Sequence, residues 1–296
     1  MVQGKIIKGI AGFYYIYVEG RGVYECRARG IFRNQKIKPL VGDNVEMEIL
    51  DEADREGNLV GILERESELI RPAVANIDQA LVVFAAAKPK PNLQLLDRFL
   101  ISMDRMNLPA IICFNKKDEV SDGELDRLRH IYAGCGSPLL FVCARNGEGV
   151  EDLRRLLRGH VTAAVGPSGV GKSTLTNLLI PDAGMETGRI SEKIDRGKHT
   201  TRHSELFRIE ENSYFFDTPG FSSLDLADVE KEELRYSYPE FRKYEGTCRF
   251  QGCVHMKEPG CAVKEAVEEG KISRERYDSY ACLFQELQER EGRRYS

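Results

Sequence analysis

At 296 residues the chain is long enough for about two domains, each able to bury a core of its own. Charged residues make up 30% and hydrophobic ones 42%, the balance of a soluble globular protein, and a formal charge of −4 argues against a polycation that coats nucleic acid along its length. The longest apolar stretch, Ile77 to Ala87, contains Asp78 and Gln79 and is far short of the ~20 residues a spanning helix needs. No apolar signal core follows Met1, so a cytoplasmic protein without a membrane partner is expected.

Residues 1–66 read as all-β. Phe13 to Val18, Val23 to Ala28 and Val45 to Leu50 are rich in β-branched and aromatic residues, and Glu19 to Gly22, Pro39 to Asp43 and Glu56 to Asn58 punctuate them as turns. About five short strands in this length predict a small Greek-key barrel of the OB type. An SH3-like barrel is the alternative, because strand count alone does not separate the two. Charge is uneven: through Gly42 eight Lys and Arg face Glu19 and Glu25, whereas Asp43 to Glu68 carries ten acids against Arg55 and Arg65. A basic half-module can offer a phosphate-binding face, as in an RNA-binding domain; a solvated sheet surface gives the same counts.

Residues 67–228 change texture. Ala80 to Phe84, Ala110 to Phe114, Leu139 to Val142 and Thr162 to Val165 are continuous apolar runs of the parallel-sheet kind, and Tyr214 to Phe216 adds another strand. Helices are predicted at about Leu93–Met106, Gly123–Gly134, Val150–Arg158 and Lys172–Ile180. Each motif described next follows one of these strands at its carboxyl end, where open α/β sheets bind ligands.

Gly166-Pro167-Ser168-Gly169-Val170-Gly171-Lys172-Ser173, followed by Thr174, has the form of a phosphate-binding loop opening a helix. Its glycines let backbone N–H groups converge on phosphate oxygens; Lys172 suits the β- and γ-phosphates, and the Ser173 hydroxyl suits Mg²⁺. Upstream lies Asn115-Lys116-Lys117-Asp118, a guanine-reading tetrad. The Asp118 carboxylate can accept from the N1–H and 2-amino group of guanine, and adenine has neither donor, so GTP is favoured over ATP. Asn115 is expected to tie the tetrad to the phosphate loop, and Lys116 to lay its stem along the base. In Cys143-Ala144-Arg145 the useful group is the Ala144 N–H, aimed at guanine O6. Asp217, at a strand end, would hold Mg²⁺ through water, and the Gly220 N–H would contact the γ-phosphate. Residues 182–202 read as a switch in which Thr200 or Thr201 reaches Mg²⁺. Phe221 stands where many GTPases carry a water-orienting glutamine, which makes His199 the candidate catalytic group and His203 the next choice.

An ordinary GTPase places the base tetrad downstream of the phosphate loop. Here the tetrad comes first, so all the parts of a GTP site are present in rotated order: a circularly permuted P-loop GTPase domain of the α/β class.

Residues 229–296 are charged and helical, with Ile272 to Arg290 expected to pack as a helix. Within them Cys248, Cys253, His255 and Cys261 place three thiols and an imidazole inside fourteen residues, enough for one closed, structural Zn²⁺ site. The competing reading, disulfides or free thiols, is disfavoured in a cytosolic setting.

The rotated motif order, the β-rich N-terminal module and the cysteine–histidine spacing together resemble the ribosome small-subunit-dependent GTPase family (RsgA). The resemblance spans essentially the whole chain and is sharpest at Gly166–Thr174, Asn115–Asp118, Gly197–Arg202, Asp217–Gly220 and Cys248–Cys261. It implies a GTPase that hydrolyses GTP to GDP and phosphate late in small-subunit maturation, with activity stimulated by the 30S particle. It also implies an OB module and a zinc domain that flank the nucleotide domain and contact 16S rRNA; a monomer is expected. Two other classes compete: a nucleotide-gated RNA-binding protein with incidental hydrolysis, answering to guanine nucleotides including alarmones, and a P-loop kinase or ATPase, against which Asn115–Asp118 argues.

Overall fold

The computed structural model describes residues 1–28, 32, 37–70, 73–180, 205–217, 226 and 229–294. Its backbone forms two compact units: Met1–Ala80 with Val150–Val165 and Lys172–Ser222, and Leu81–Gly149 with Gly166–Gly171 and Ser223–Ser296.

In the first unit, β1 (Val2–Ile10), β2 (Phe13–Val18), β3 (Gly22–Ala28), β4 (Asn44–Asp51) and β5 (Glu56–Ile62) close into a barrel of order β1-β2-β3-β5-β4. Pairing is antiparallel except between β3 and β5, and a register shift between Ile6 and Lys8 lets the long first strand bend. This order and the single parallel pair decide for the OB type. Alternation fills the interior: Tyr24 and Cys26 point in with Ile6, Ile16, Val45, Met47 and Leu59, while Glu25 faces out.

One expected turn is misplaced. Glu56 to Asn58 begins β5, and the chain reverses just before it, where the Asp51 carboxylate accepts from the N–H groups of Ala53 at 2.8 Å and Asp54 at 3.0 Å. Gly57 is needed for a close approach and not for a turn. A Cβ there would lie 2.7 Å from Met47 Cε and 2.8 Å from the Glu48 carbonyl oxygen.

The barrel is anchored within its unit by opposite charges. Buried Asp43 takes a two-pronged bond from Arg65, Nε at 2.7 Å and Nη2 at 2.9 Å, and accepts the Leu40 N–H at 2.7 Å. Lys8 pairs with Glu205 at 2.9 Å, and Arg208 lies over the Tyr17 ring at 4.9 Å. The same unit holds β6 (Glu68–Ile70), β7 (Ala73–Ala75), α3 (Val150–Leu157), β11 (Val161–Val165), α4 (Lys172–Leu179), β12 (Leu206–Glu210) and β13 (Ser213–Asp217). Strands β11 and β13 are parallel, and β12 runs antiparallel along β13. Sequence patterning misses both β1, whose lysines and glycines blur the alternation, and β12, where Arg208 and Glu210 do so.

Strand β8 (Gln79–Ala85) begins in the first unit, where Gln79 Nε2 donates to Thr162 Oγ1 at 2.8 Å, and continues into the second. There it is followed by α1 (Leu93–Arg105), β9 (Ala110–Asn115), α2 (Asp122–Tyr132) and β10 (Leu139–Phe141); strand order in this unit is β10-β9-β8, and in the first unit β11-β13-β12. All of β8 is buried, which explains its unbroken apolar run. Helix α1 starts at an Asn92 cap whose side chain accepts the Leu95 N–H at 3.0 Å.

The second unit ends in α5 (Ala262–Glu268) and α6 (Arg274–Arg294), preceded by 3-10 turns at Leu234–Ser237 and Pro239–Tyr244. Tyr238, Phe241, Tyr280, Leu283 and Leu287 form the core of this region, with Tyr238 stacked on Phe241 at 5.1 Å and Tyr280 edge-on to both. Among the described residues no helix is long and apolar enough to cross a membrane.

Candidate functional site

The phosphate loop turns because its glycines allow it. Gly166, Gly169 and Gly171 have φ of 138°, 80° and 91°. At Gly166 a Cβ would stand 2.1 Å from the Val83 carbonyl oxygen, and at Gly171 it would stand 2.4 Å from Asn115 Nδ2. A side chain at Gly166 would run into backbone, and one at Gly171 would displace the Asn115 amide. Pro167, Ser168 and Val170 fill the remaining places, with Ser168 and Gly169 exposed and Val170 buried.

Asn115 is the clasp between this loop and the base tetrad. Its buried amide donates to the Val170 carbonyl at 2.9 Å, and its Oδ1 accepts the Ala144 N–H at 2.9 Å. One side chain at the end of β9 thus ties together residues 55 positions apart, as the sequence anticipates. Lys116, in the left-handed region at φ 62°, sends Nζ to the Gly169 carbonyl at 2.9 Å and also to the Lys88 carbonyl. Lys117 pairs with Glu148.

The Ala144 N–H, expected to face guanine O6, is given to Asn115 in this structure. The Cys143 side chain bears on the base-reading carboxylate. Its thiol is the leading influence that keeps the Asp118 carboxyl below the usual carboxylate range, with help from Arg145 and against the opposing effect of burial. A short loop holds Cys143 in place: its N–H bonds the Glu148 carbonyl at 2.8 Å, and the Gly147 N–H returns to the Cys143 carbonyl at 2.9 Å. The signal in the sequence was its position directly beside Ala144.

Helix α4 opens with Lys172, Ser173 and Thr174, the last two exposed, and Thr176 Oγ1 bonds the Lys172 carbonyl at 3.0 Å. In the first unit the backbone of Asp217 ends β13 opposite Ala164 of β11. His199, Thr200, Thr201, His203 and Gly220 lie outside the described residues, as does the Asp217 side chain.

The metal-type cluster forms as a compact group. The ligand atoms of Cys248, Cys253, His255 and Cys261 all lie within 4.8 Å of one another. His255 Nδ1 stands 3.6 Å from Cys248 Sγ and 3.4 Å from Cys261 Sγ, and those sulfurs are 4.0 Å apart. Zn–S and Zn–N bonds of ordinary length give tetrahedral edges of about 3.8 Å for S–S and about 3.6 Å for S–N. The donor set therefore fits zinc in size as well as type. Burial pushes the Cys253 thiol up to about 12 and the His255 imidazole down to about 4, with Arg235 adding to the latter. The imidazole is thus neutral and ready to ligate, while a thiolate there needs a cation beside it. The cluster loop is braced by Glu258, which accepts the Val254 and Met256 N–H groups at 2.8 Å each, and by Tyr277, whose hydroxyl donates to the His255 carbonyl at 2.7 Å.

Sequence reading does not reach a third group. Arg276 on α6 is buried between Asp97 of α1 and Glu240, bonding Asp97 and, through Nε and Nη2 at 2.7 and 3.2 Å, both oxygens of Glu240. Burial opposes its charge, but Asp97 and Glu240 hold the guanidinium well above its ordinary value. Tyr132 and Tyr238 lie against it at 5.4 and 4.5 Å. No local pattern marks such a triad, because its members are spread over three distant segments.

Set beside known proteins, residues 62–227 match the family described as RsgA GTPase and residues 3–58 the RsgA N-terminal domain. The chain belongs to the RsgA GTPase family. It is a GTP hydrolase with a circularly permuted P-loop domain, an N-terminal OB-type barrel and a C-terminal region bearing a zinc-type cluster. A relative from Agathobacter rectalis, named small ribosomal subunit biogenesis GTPase RsgA, is 55% identical over 98% of this chain and 99% of its own length. One of the same name from Clostridium perfringens is 48% identical over 98% of this chain and 100% of its own. Among solved structures, YloQ, described as a circularly permuted GTPase, aligns at TM-score 0.78 and 39% identity over 98% of this chain and 96% of that one. YjeQ from Thermotoga maritima aligns at TM-score 0.76 and 34% identity over 97% and 98%.

Proposed function

We propose that this RsgA-family protein acts in biogenesis of the small ribosomal subunit, binding the 30S particle and its 16S rRNA as a cytoplasmic monomer and hydrolysing GTP faster when bound. The observation that carries the reading is the Asn115 clasp, which unites a phosphate loop and a base tetrad arranged in reversed chain order. Relatives that align with nearly the whole chain carry the biogenesis name.

The functional parts divide as residues 1–66 for RNA contact, 67–228 for the nucleotide and 229–296 for the zinc region. Backbone N–H groups from Gly166 to Thr174, Pro167 excepted, cradle the phosphates, and Lys172 places its charge on the β- and γ-oxygens. Bound Mg²⁺ supplies charge neutralisation between those oxygens; Ser173, Thr200 or Thr201, and Asp217 through water are the groups that would hold it. Asp118, kept ionised with help from Cys143 and Arg145, reads guanine, with Asn115, Lys116 and Lys117 fixing the loop and Ala144 sharing its N–H with the base. Gly220 contacts the γ-phosphate and His199 orients the attacking water. Cys248, Cys253, His255 and Cys261 hold one structural Zn²⁺ and leave no open coordination position.

Turnover of GTP with and without purified small subunits tests the reading. A many-fold rise is expected in the wild type, none in Lys172→Ala or Ser173→Ala, and a reduced one in His199→Ala with nucleotide and subunit binding retained. Subunits should also bind more tightly with a non-hydrolysable GTP analogue than with GDP. Equal turnover with and without subunits would leave a nucleotide-gated binding protein in place of a subunit-activated GTPase.

A further inference from the structure

The four ligands of the cysteine–histidine cluster come in two halves. Cys248 and Cys261 are joined through backbone, because the Arg249 N–H beside the one bonds the Gly260 carbonyl beside the other at 3.0 Å. Cys253 and His255 sit two residues apart in a tight turn. There His255 takes φ of 61°, in the left-handed region that a side chain disfavours. A conformation of that kind persists only where its surroundings impose it.

Here the imposing groups are side chains. Three successive carbonyls of the turn are each taken by a donor: Cys253 by Arg235 at 2.7 Å, Val254 by the Tyr280 hydroxyl at 2.5 Å and His255 by the Tyr277 hydroxyl at 2.7 Å. The N–H groups on either side of His255 converge instead on one carboxylate. Val254 donates to Glu258 Oε1 and Met256 to Glu258 Oε2, both at 2.8 Å. With its two neighbours held, His255 aims its own N–H at Cys253 Sγ, 3.4 Å away. The same turn therefore places two ligands and gives one of the sulfurs a donor.

Two points set Glu258 apart from Arg235, Tyr277 and Tyr280. It lies on the chain between the halves: Pro259 and Gly260 lead from it directly to Cys261, while its side chain reaches back to the Cys253–His255 turn. It is also an anion beside a centre that is anionic when loaded, since three thiolates around a zinc dication leave one negative charge. Like charges repel, so a carboxylate is a poor neighbour for that centre unless bonds offset the repulsion. The two N–H bonds, strengthened by its charge, are that offset.

We propose that Glu258 is the positioning residue of the metal site, holding the Cys253–His255 turn against the Cys248–Cys261 pair and so setting how tightly zinc is retained. This rests on the zinc reading given above and names a residue outside the four ligands.

The test uses the full zinc-loaded chain and its Glu258→Gln variant, which keeps the side-chain shape but turns an amide N–H toward one of the two donors. Zinc is withdrawn by a coloured pyridylazo chelator. The variant is expected to bind zinc about 10- to 100-fold more weakly and to release it correspondingly faster. Saturated with cobalt, it should still show the wild type's absorption bands, because all four ligands remain. Zinc held as tightly as by the wild type overturns the proposal and leaves Glu258 a loop brace. A changed cobalt spectrum at saturation overturns it too, since a ligand has then been lost. If Glu258→Gln does not fold, amide hydrogen exchange in the zinc-loaded wild type decides: Val254 and Met256 should be protected together, and fast exchange at either one refutes the shared carboxylate. A wild type that binds no zinc ends the metal reading itself, whereas zinc bound equally by both proteins ends only this inference.

Discussion

Replacing Arg276 with methionine removes the one cation between two buried carboxylates while keeping most of the side-chain volume. The Arg276 side chain is 3% exposed, Asp97 0% and Glu240 8%, so neither acid can turn to water without opening the α1–α6 contact. Breaking a buried pair by deleting one partner costs about 3–5 kcal/mol, because the remaining charge is stranded. That is a large part of the roughly 5–15 kcal/mol that holds a domain folded. With a urea slope of about 2–3 kcal/mol/M the unfolding midpoint should drop by roughly 1–2.5 M. Circular dichroism in urea reads this directly, and the tyrosine near-ultraviolet signal reports the same core, since the chain has no tryptophan. The triple variant Asp97→Asn, Glu240→Gln, Arg276→Met is the sharper test. With no charge left to strand, it should regain at least half of the lost stability. A triple variant no more stable than Arg276→Met alone would mean that packing against Tyr132 and Tyr238, and not unpaired charge, sets the cost.

Other outcomes follow from single contacts. Asp118→Asn should shift preference from GTP toward xanthosine triphosphate, because the amide offers a donor to the 2-oxo group of xanthine; competition binding with the two nucleotides checks it, and unchanged preference refutes the base-reading role. Gly171→Ala should weaken GTP binding at least tenfold while leaving the melting curve of the rest of the chain nearly intact, since its Cβ meets Asn115 Nδ2 at 2.4 Å and pushes the clasp aside; titration calorimetry measures it. Cys253→Ala should lose the one bound zinc, read by elemental analysis, and expose the segment from Tyr244 to Lys264 to protease, because binding energy at a structural site is folding energy.

Much of this protein is written locally. Glycines at 166, 169 and 171 predict the phosphate loop because only they tolerate its positive φ values, and fourteen residues suffice to bring three sulfurs and an imidazole to one point. Unbroken apolar runs mark β8, β9 and β11 because those strands are buried on both faces. The order of the motifs along the chain is itself sequence information, so the permutation needs no coordinates.

Other properties depend on pairings that no short window contains. OB rather than SH3-like topology rests on β3 lying parallel to β5, and the role of Gly57 rests on how closely Met47 and Glu48 approach it. The Ala144 N–H is engaged by Asn115, and Cys143 bears on the Asp118 carboxyl, because β9 and β10 end side by side. Arg276 reads as a surface charge on an amphipathic helix until Asp97 and Glu240 close around it. Local conformation is set by steric limits within a few residues, whereas the burial of a charge and the partner of a donor are set by which distant segments fold against them.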